Sequence, residues 1–167
     1  MARYESPSYT VLKSDGPFEL RAYDAFSTSA YIGDDLSGKS GFPVLFNYIS
    51  GRNETKQKIS MTIPVINDFS LSQGSMEFVI PPSFHKEGIP KPVDERLTIK
   101  HYEPHKAVAV RFSGRINDKK IESYTDKLKA WCETNNIQTK GMVRLQRFNS
   151  PFSLPCLRHN EIVMMTD

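Results

Sequence analysis

The sequence predicts one α+β domain built from two βαββ units, and three observations carry this prediction. "FELRAY" (18–23) and "LTIKHY" (97–102) align without a gap, and both alternate apolar and polar residues as half-buried strands do. After each comes a second extended run, then a helical pattern, then two candidate strands. A proline-rich segment separates the halves, as expected of an irregular linker. We therefore predict a single domain over residues 1–167, with repeats at about 18–80 and 97–166 and a linker at about 81–96.

Each predicted element follows from the local pattern. In the first half we expect extended segments over 18–32, a helix over 42–50, and strands near 58–66 and 76–80. In the second half we expect extended segments over 97–112, a helix over 118–135, and strands near 142–148 and 161–166. The residues before Tyr9 are expected to be loose, because chain ends often are.

The second predicted helix has the pattern of an ordinary covering helix. Its apolar residues fall within an arc of about 100°, which matches one buried face: Ile121, Tyr124, Leu128, Trp131 and Cys132. Asn117 is a suitable N-cap, and Asn135 and Asn136 can end the helix.

The first predicted helix, in "GFPVLFNYISGRN", carries more apolar surface than one packing face requires. Phe42, Leu45, Phe46 and Ile49 lie on one side, and Val44 and Tyr48 extend the apolar arc to about 200°. Such a helix is either buried on two sides by protein or lines an apolar ligand pocket. The periodicity leaves both readings open.

The loop "FNSPFSLPCLRHNE" (148–161) offers a partner for that helix. Phe152, Leu154 and Leu157 are too apolar to be satisfied together in a solvated loop. A pocket between this loop and the first helix would be lined by the apolar residues that neither element needs for packing. Its mouth would carry Lys39, Arg52 and Arg158, whose charges suit carboxylates. The pattern indicates a flat hydrophobic ligand with acidic edges.

Composition and motifs narrow the function classes. Hydrophobic residues make up 38% of the chain and charged residues 25%, and the formal charge of +3 is spread along it, so nucleic acid is not favoured as a partner. No stretch is long and apolar enough for a membrane span, and the two cysteines form neither a disulfide framework nor a metal spacing, which favours a soluble cytoplasmic protein. We find no catalytic motif and expect no enzyme. Four acidic residues lie in different predicted elements, so the sequence does not show which of them converge: Glu19, Asp24, Glu103 and Glu161.

Three segments, "FELRAY", "GFPVLFNYISGRNETKQKISMTIPV" and "FNSPFSLPCLRHNEI", together resemble the SOUL/haem-binding protein family. The resemblance is collinear from about Tyr9 to Met165. It implies a distorted antiparallel β-barrel with two flanking helices, similar to small-molecule effector domains. It also implies non-covalent binding of haem b or another tetrapyrrole in a cleft between the first helix and the C-terminal loop.

Carried over by position, the resemblance implies ring contacts from Phe42 and Phe46, a carboxylate contact from Lys39, and an opposite wall formed by 152–158. Two residues depart from the family pattern. Asn47 stands where one relative has a basic residue, and Ala22 stands where some relatives have a histidine proposed as an axial iron ligand. His159 is the remaining candidate for an axial ligand, although a histidine forming a local hydrogen bond explains that position as well.

Three functions follow from these observations. The first is a soluble carrier or buffer for haem or another tetrapyrrole. The second is a protein-interaction or regulatory module that keeps the fold without haem, which the departures at Ala22 and Asn47 favour. The third is an enzyme that acts on a tetrapyrrole, for which the sequence carries no catalytic signal.

Overall fold

The computed structural model describes residues 4–33, 38–69, 74–149 and 153–167. Within these ranges the chain forms nine strands, three helices and one 3₁₀ turn. The strands are β1 (Tyr9–Asp15), β2 (Phe18–Tyr23), β3 (Phe26–Ile32), β4 (Val65–Asp68), β5 (Ser75–Val79), β6 (Leu97–Tyr102), β7 (His105–Phe112), β8 (Thr139–Arg147) and β9 (Asn160–Thr166). The helices are α1 (Gly41–Ile49), α2 (Phe84–Glu87) and α3 (Asp118–Thr134), and the 3₁₀ turn is Pro155–Leu157.

The strands form one curled antiparallel sheet, a half-barrel, in the order β1-β2-β7-β9-β8-β4-β5-β3-β6. Both halves of the chain contribute the same sequence of elements, two strands, a helix and two strands. Exchanging β2 with β6, β3 with β7, β4 with β8 and β5 with β9 reverses the order of these eight strands and leaves it otherwise unchanged. The strand order therefore has a two-fold pattern, while the internal sequence repeat itself stays a prediction.

Both long helices lie on the same face of the sheet. Directly paired residues of antiparallel strands point to one side, and one such row crosses the middle of the sheet: Phe112, Asn160, Arg147, Val65 and Phe78. At one end of the row the Phe112 ring stacks on Tyr124 of α3 at 4.3 Å. At the other end the Phe78 ring meets Phe42 of α1 at 5.3 Å. We call this side the helix face and the opposite, concave side the inner face.

Helix α3 covers β7, β8 and β9 as its pattern predicts. Its buried residues include Leu128, Trp131 and Cys132, which pack on the apolar helix face of those strands. The side-chain oxygen of Asn117 accepts a hydrogen bond from the Lys120 amide at 2.8 Å, which confirms the predicted N-cap. The chain leaves the helix through Asn136, whose φ of 57° is in the left-handed region that asparagine tolerates.

The expectation of loose residues before Tyr9 is wrong for the described residues 4–8. Glu5 forms a parallel bridge with Thr62, and the Asp24 amide donates to the Ser8 carbonyl at 3.0 Å. Strand β1 was not predicted, because its pairing with β2 shifts register between Val11 and Lys13. Such a bulge places two apolar residues in succession and hides the alternation that marks a strand.

Two further boundaries differ from the prediction. The expected strand near 58–66 exists only from Val65 onward, and Pro64 just before it has no amide hydrogen to donate to a sheet. The linker contains α2, one helical turn between proline-rich ends. None of the helices in the described ranges combines the length and hydropathy that crossing a lipid bilayer requires.

Candidate ligand-binding site

Helix α1 divides its wide apolar arc between the core and the surface. Val44, Leu45, Tyr48 and Ile49 are buried against β3 and β5, whereas Phe42 and Phe46 keep 40% and 49% of their surface exposed. The two exposed rings lie nearly parallel, with centroids 6.1 Å apart. The helix therefore packs one side as core and presents an aromatic pair on the other.

Two of the predicted contact residues belong to the core side. Leu45 is fully buried and Ile49 is 7% exposed, and both pack with Phe78 in the hydrophobic cluster beneath α1. Both residues anchor α1 to the sheet. Their direct contact with a ligand stays a prediction. Phe42 and Phe46 are the predicted α1 residues that the structure presents to the surface.

The C-terminal loop presents the second set of exposed apolar side chains. Leu154 and Leu157 are 63% and 70% exposed, at the start and end of the 3₁₀ turn region. The Pro155 carbonyl accepts a hydrogen bond from the Gly114 amide at 2.8 Å, which ties the turn to the end of β7. Phe152, the third predicted residue of this wall, lies outside the described residues.

The sheet brings the start of this loop to within two strands of the strand beneath α1. The loop begins after Arg147, which pairs with Val65, and Val65 in turn pairs with Phe78 beneath the Phe42 ring. Two inter-strand spacings of about 4.8 Å therefore separate the end of β8 from the strand under α1. Strand β4 lies between the two helices, since α1 packs on β3 and β5 and α3 on β7, β8 and β9. We call the predicted binding surface, with Phe42, Phe46 and Val65 on the α1 side and Leu154 and Leu157 on the loop side, the cleft. That these side chains line one site stays a prediction.

Three basic residues, Lys39, Arg52 and Arg158, are the predicted positions for carboxylate contacts at the edge of the cleft. Lys39 precedes α1 and Arg52 follows it, so both exposed residues flank a helix about 14 Å long. Arg158 ends the 3₁₀ turn region, where its Nε donates to the Ser153 carbonyl at 3.1 Å. A surface with an apolar centre and these basic residues at its edges would suit an apolar anion. Asn47, the departure on α1, is exposed beside Phe46.

His159 is held toward the inner face rather than toward the cleft. Its Nε2 lies 2.7 Å from a carboxylate oxygen of Glu161, a residue that alternates with the helix-face residues Asn160 and Ile162. Its ring stacks on Phe148 with centroids 4.1 Å apart. Iron ligation by Nε2 would break the contact with Glu161, so the assignment of His159 as an axial ligand stays a prediction that requires this rearrangement.

The inner face contains a buried ion pair that the sequence did not indicate. The Arg21 guanidinium donates to both carboxylate oxygens of Glu161, at 2.6 and 2.9 Å, and its Nε donates to Glu19 at 2.7 Å. Two of the four acidic residues named from the sequence therefore converge on one arginine. Burial opposes the ionisation of Glu161, but hydrogen bonds from Arg21 and His159 outweigh it and hold the pKa of that carboxyl below its ordinary value of 4.5.

A second carboxylate, that of Glu77, is fully buried farther along the inner face. It accepts hydrogen bonds from Thr28, Ser75, Lys100 and Tyr102 at 2.7 to 2.9 Å. Burial and the neighbouring Glu77 charge raise the pKa of Tyr102 above its ordinary value, which keeps its hydroxyl a donor. Both carboxylates are fully engaged in structural hydrogen bonds, so the inner face is held together by polar networks.

Metal ligands do not cluster in the part of the chain that the structure describes, where no group of three His, Cys, Asp or Glu side chains could hold an ion. The cleft offers aromatic, aliphatic and basic side chains instead. A surface of this composition would hold a ligand by burial of apolar area and by charge rather than by metal coordination.

Comparisons with known proteins agree with this architecture. Solved structures with similar folds include the C-terminal domain of EcmrR, with a TM-score of 0.64 and 13% identity over 95% of this chain and 98% of that one. Another is a hydrolase from Listeria innocua, with a TM-score of 0.58 and 11% identity over 90% of this chain and 91% of that one. At these identities the likeness shows the effector-binding-domain-like fold alone. A search of curated protein sequences gave no significant match.

The family model of the SOUL heme-binding protein family matches residues 4–165, which is nearly the whole chain. The match covers both halves of the sheet, α1 and the C-terminal loop. The chain therefore belongs to the SOUL heme-binding protein family.

Proposed function

We propose that this protein is a soluble carrier or buffer for haem or another tetrapyrrole, held non-covalently in the cleft. The observation that carries the proposal is the exposed, nearly parallel pair Phe42 and Phe46, which faces solvent in a chain whose family is described as heme-binding. Large apolar side chains grouped on a surface mark binding sites more often than ordinary surface.

The residues of the cleft fit a planar, largely apolar ligand. Phe42 and Phe46 would contact one side of the macrocycle, and Leu154 and Leu157 would contact it from the C-terminal loop, while Lys39, Arg52 and Arg158 would bind carboxylates at the edge. Micromolar affinity corresponds to about 8 kcal/mol, which burial of ~300–400 Å² of apolar surface supplies before the cost of association. A bound haem would supply iron and its redox chemistry; the residues of the cleft bind and orient it.

The direct test is a titration of the purified apo-protein with hemin, followed by Soret absorbance and by quenching of Trp131 fluorescence. Trp131 is the single tryptophan of the chain and lies on α3. We expect a saturable one-to-one change. Phe46→Asp should abolish it, because a carboxylate at the centre of the cleft would lose apolar area and repel the acidic edge of the ligand.

The matched control is Leu12→Asp, which places the same charge on an apolar residue of nearly equal exposure, 48% against 49%. Leu12 lies in β1, at the opposite edge of the sheet from β3 and β6. Both variants should keep the far-UV circular dichroism of the wild type. A folded Phe46→Asp variant that titrates like the wild type would refute the cleft as the site.

The alternative of a protein-interaction or regulatory module rests on Ala22 and Asn47, which stand where some relatives have a histidine proposed as an axial ligand and one relative has a basic residue. Ala22 lies in β2 and is partly buried, and Asn47 is exposed on α1. The same titration separates the two functions. Absence of any saturable change in the wild type would favour the module, with Phe42 and Phe46 as its contact surface.

A further inference from the structure

Arg147 is the charged residue that the sheet places on the helix face directly beside Val65. The paired segments of β4, β5, β8 and β9, all within the described ranges, carry one charged side chain on the helix face. That face is formed by Val65, Asn67, Met76, Phe78, Val143, Leu145, Arg147, Asn160, Ile162 and Met164. Every other member of the set is uncharged, and most are core residues. Arg147 is partly buried at this position, where a guanidinium must keep hydrogen-bond partners because burying an unpaired charge costs free energy.

The position of Arg147 relative to α1 follows from the register. It pairs directly with Val65, a member of the cleft, and Val65 pairs with Phe78, whose ring contacts Phe42. Arg147 is also the last residue of β8, so the chain turns from it into the loop that carries Leu154 and Leu157. The guanidinium therefore starts from the sheet between the two walls of the cleft.

The guanidinium is also held in a defined orientation. Its Nη2 donates to the side-chain oxygen of Asn67 at 2.6 Å, and Asn67 is only 1% exposed. The Asn67 amide nitrogen in turn donates to the Ser75 carbonyl at 3.3 Å, which orients the asparagine from the next strand. A planar guanidinium fixed in this way has the geometry that recognises a carboxylate through two hydrogen bonds.

We propose that Arg147 binds a carboxylate of the ligand from the floor of the cleft, so that one acidic edge of the macrocycle points toward the sheet. This inference rests on the function proposed above and adds an orientation to it. Lys39, Arg52 and Arg158 flank the cleft, whereas Arg147 lies beneath it. Arg147 would therefore select acidic porphyrins over neutral ones of the same shape.

The experiment compares protoporphyrin IX with its dimethyl ester, which has the same ring without the two carboxylates. Binding of each is followed by porphyrin fluorescence and quenching of Trp131. We expect Arg147→Gln to weaken binding of the acid by about 10- to 100-fold, the range for one charge-assisted hydrogen-bonded contact, and to leave binding of the ester unchanged. Arg111→Gln is the matched control, because it removes the same charge from the opposite, inner face of the sheet. Arg111 is exposed and lies opposite Glu161 in the pairing of β7 with β9. This variant should change neither affinity.

A second variant, Arg147→Lys, controls for the possibility that Arg147→Gln weakens binding only because it destabilises the fold. Arg147→Lys keeps the charge but loses the planar fork, so it should weaken binding of the acid by less than Arg147→Gln and again spare the ester. Equal effects on acid and ester, or no effect in either folded variant, would overturn the role of Arg147 while leaving the carrier function standing. A wild-type protein that binds neither porphyrin would instead refute the carrier function itself.

Discussion

At the scale of single residues, the buried ion pair of the inner face requires small side chains on the strand between its two partners. Arg21 on β2 reaches Glu161 on β9 across the intervening strand β7, where the neighbouring inner-face residues are Ala107 and Ala109. Both alanines are buried, and a larger side chain there would occupy the path of the guanidinium. The ion pair thus depends on two residues that the sequence marks only as apolar.

The Arg21–Glu161 pair predicts how stability depends on pH. The pKa of Glu161 is lower in the folded protein than its ordinary value of 4.5, so the ionised carboxylate stabilises the fold. This contribution is fully present above about pH 4.5 and is lost as the pH falls through the lower, folded-state pKa. We expect Glu161→Gln to reduce the free energy of unfolding by ~2–3 kcal/mol near neutral pH, because it removes the buried carboxylate and leaves Arg21 paired with the more exposed Glu19.

The measurement is urea denaturation of both proteins at several pH values between about 3 and 7. The difference between wild type and Glu161→Gln should shrink as the pH falls from about 4.5 through the lower folded-state pKa, where the wild-type carboxylate also becomes neutral. Glu122→Gln, an exposed glutamate on α3, should change stability by less than ~0.5 kcal/mol throughout. A difference that stays constant down to the lowest pH would show that ionisation of Glu161 does not stabilise the fold.

At the scale of elements, the two long helices are stabilised differently. Helix α3 has one apolar face and a side-chain N-cap, whereas α1 begins after Ser40, which makes no side-chain cap bond within the described structure. The shorter helix relies on its buried side, and the hydroxyl of Tyr48 donates to the Pro90 carbonyl at 2.5 Å. Burial raises the pKa of Tyr48 to about 12, so this hydroxyl stays a donor at physiological pH.

This contrast predicts unequal effects of removing the two capping residues. Asn117→Ala should lower the free energy of unfolding by ~1 kcal/mol, since it exposes the amide of Lys120 that the asparagine oxygen now satisfies. Ser40→Ala should change it by less than ~0.5 kcal/mol. Thermal and urea denaturation measure both. Equal losses in the two variants would mean that the cap geometry does not distinguish the helices.

At the scale of the whole molecule, the two halves of the chain exchange strands. Strand β2 belongs to the first half but pairs with β7 of the second, and β6 belongs to the second half but pairs with β3 of the first. The halves also meet in the middle of the sheet, where β4 pairs with β8. Neither half therefore contains all the hydrogen-bonding partners of its own strands.

We expect that fragments 1–90 and 91–167 do not fold when they are produced separately, because β2 loses β7 and β6 loses β3, which exposes unpaired strand edges. Mixing the two fragments should restore native circular dichroism and the fluorescence of Trp131. Two-dimensional NMR of each isolated fragment, with the intact chain as reference, tests this expectation. A cooperatively folded single fragment would show that the halves are independent units.

Local patterns predicted much of the architecture. The amphipathic stretch with Asn117 at its start gave α3 to within one residue, and alternation located β2, β6, β7 and β9. Two strand predictions failed because the apolar pattern and the strand did not coincide. The strand predicted before Pro64 does not form there, since proline has no amide hydrogen to donate. Strand β1 was missed because its bulge interrupts the alternation of apolar and polar residues. The excess of apolar residues on α1 correctly marked an unusual helix.

The sequence by itself determined the α+β class, the order of the main elements, the family, and the presence of unusually apolar surface on α1 and the C-terminal loop. The elements and their apolar faces depend on residues close together in the sequence, so the spacing of apolar residues along the chain reveals them. Only the tertiary structure decided that Phe42 and Phe46 are exposed while Leu45 is buried, that Arg21 meets Glu161, and that Arg147 lies beside Val65 on the helix face. Each of these depends on which strands become neighbours and in what register, and pairing between distant segments leaves no periodic trace in the chain.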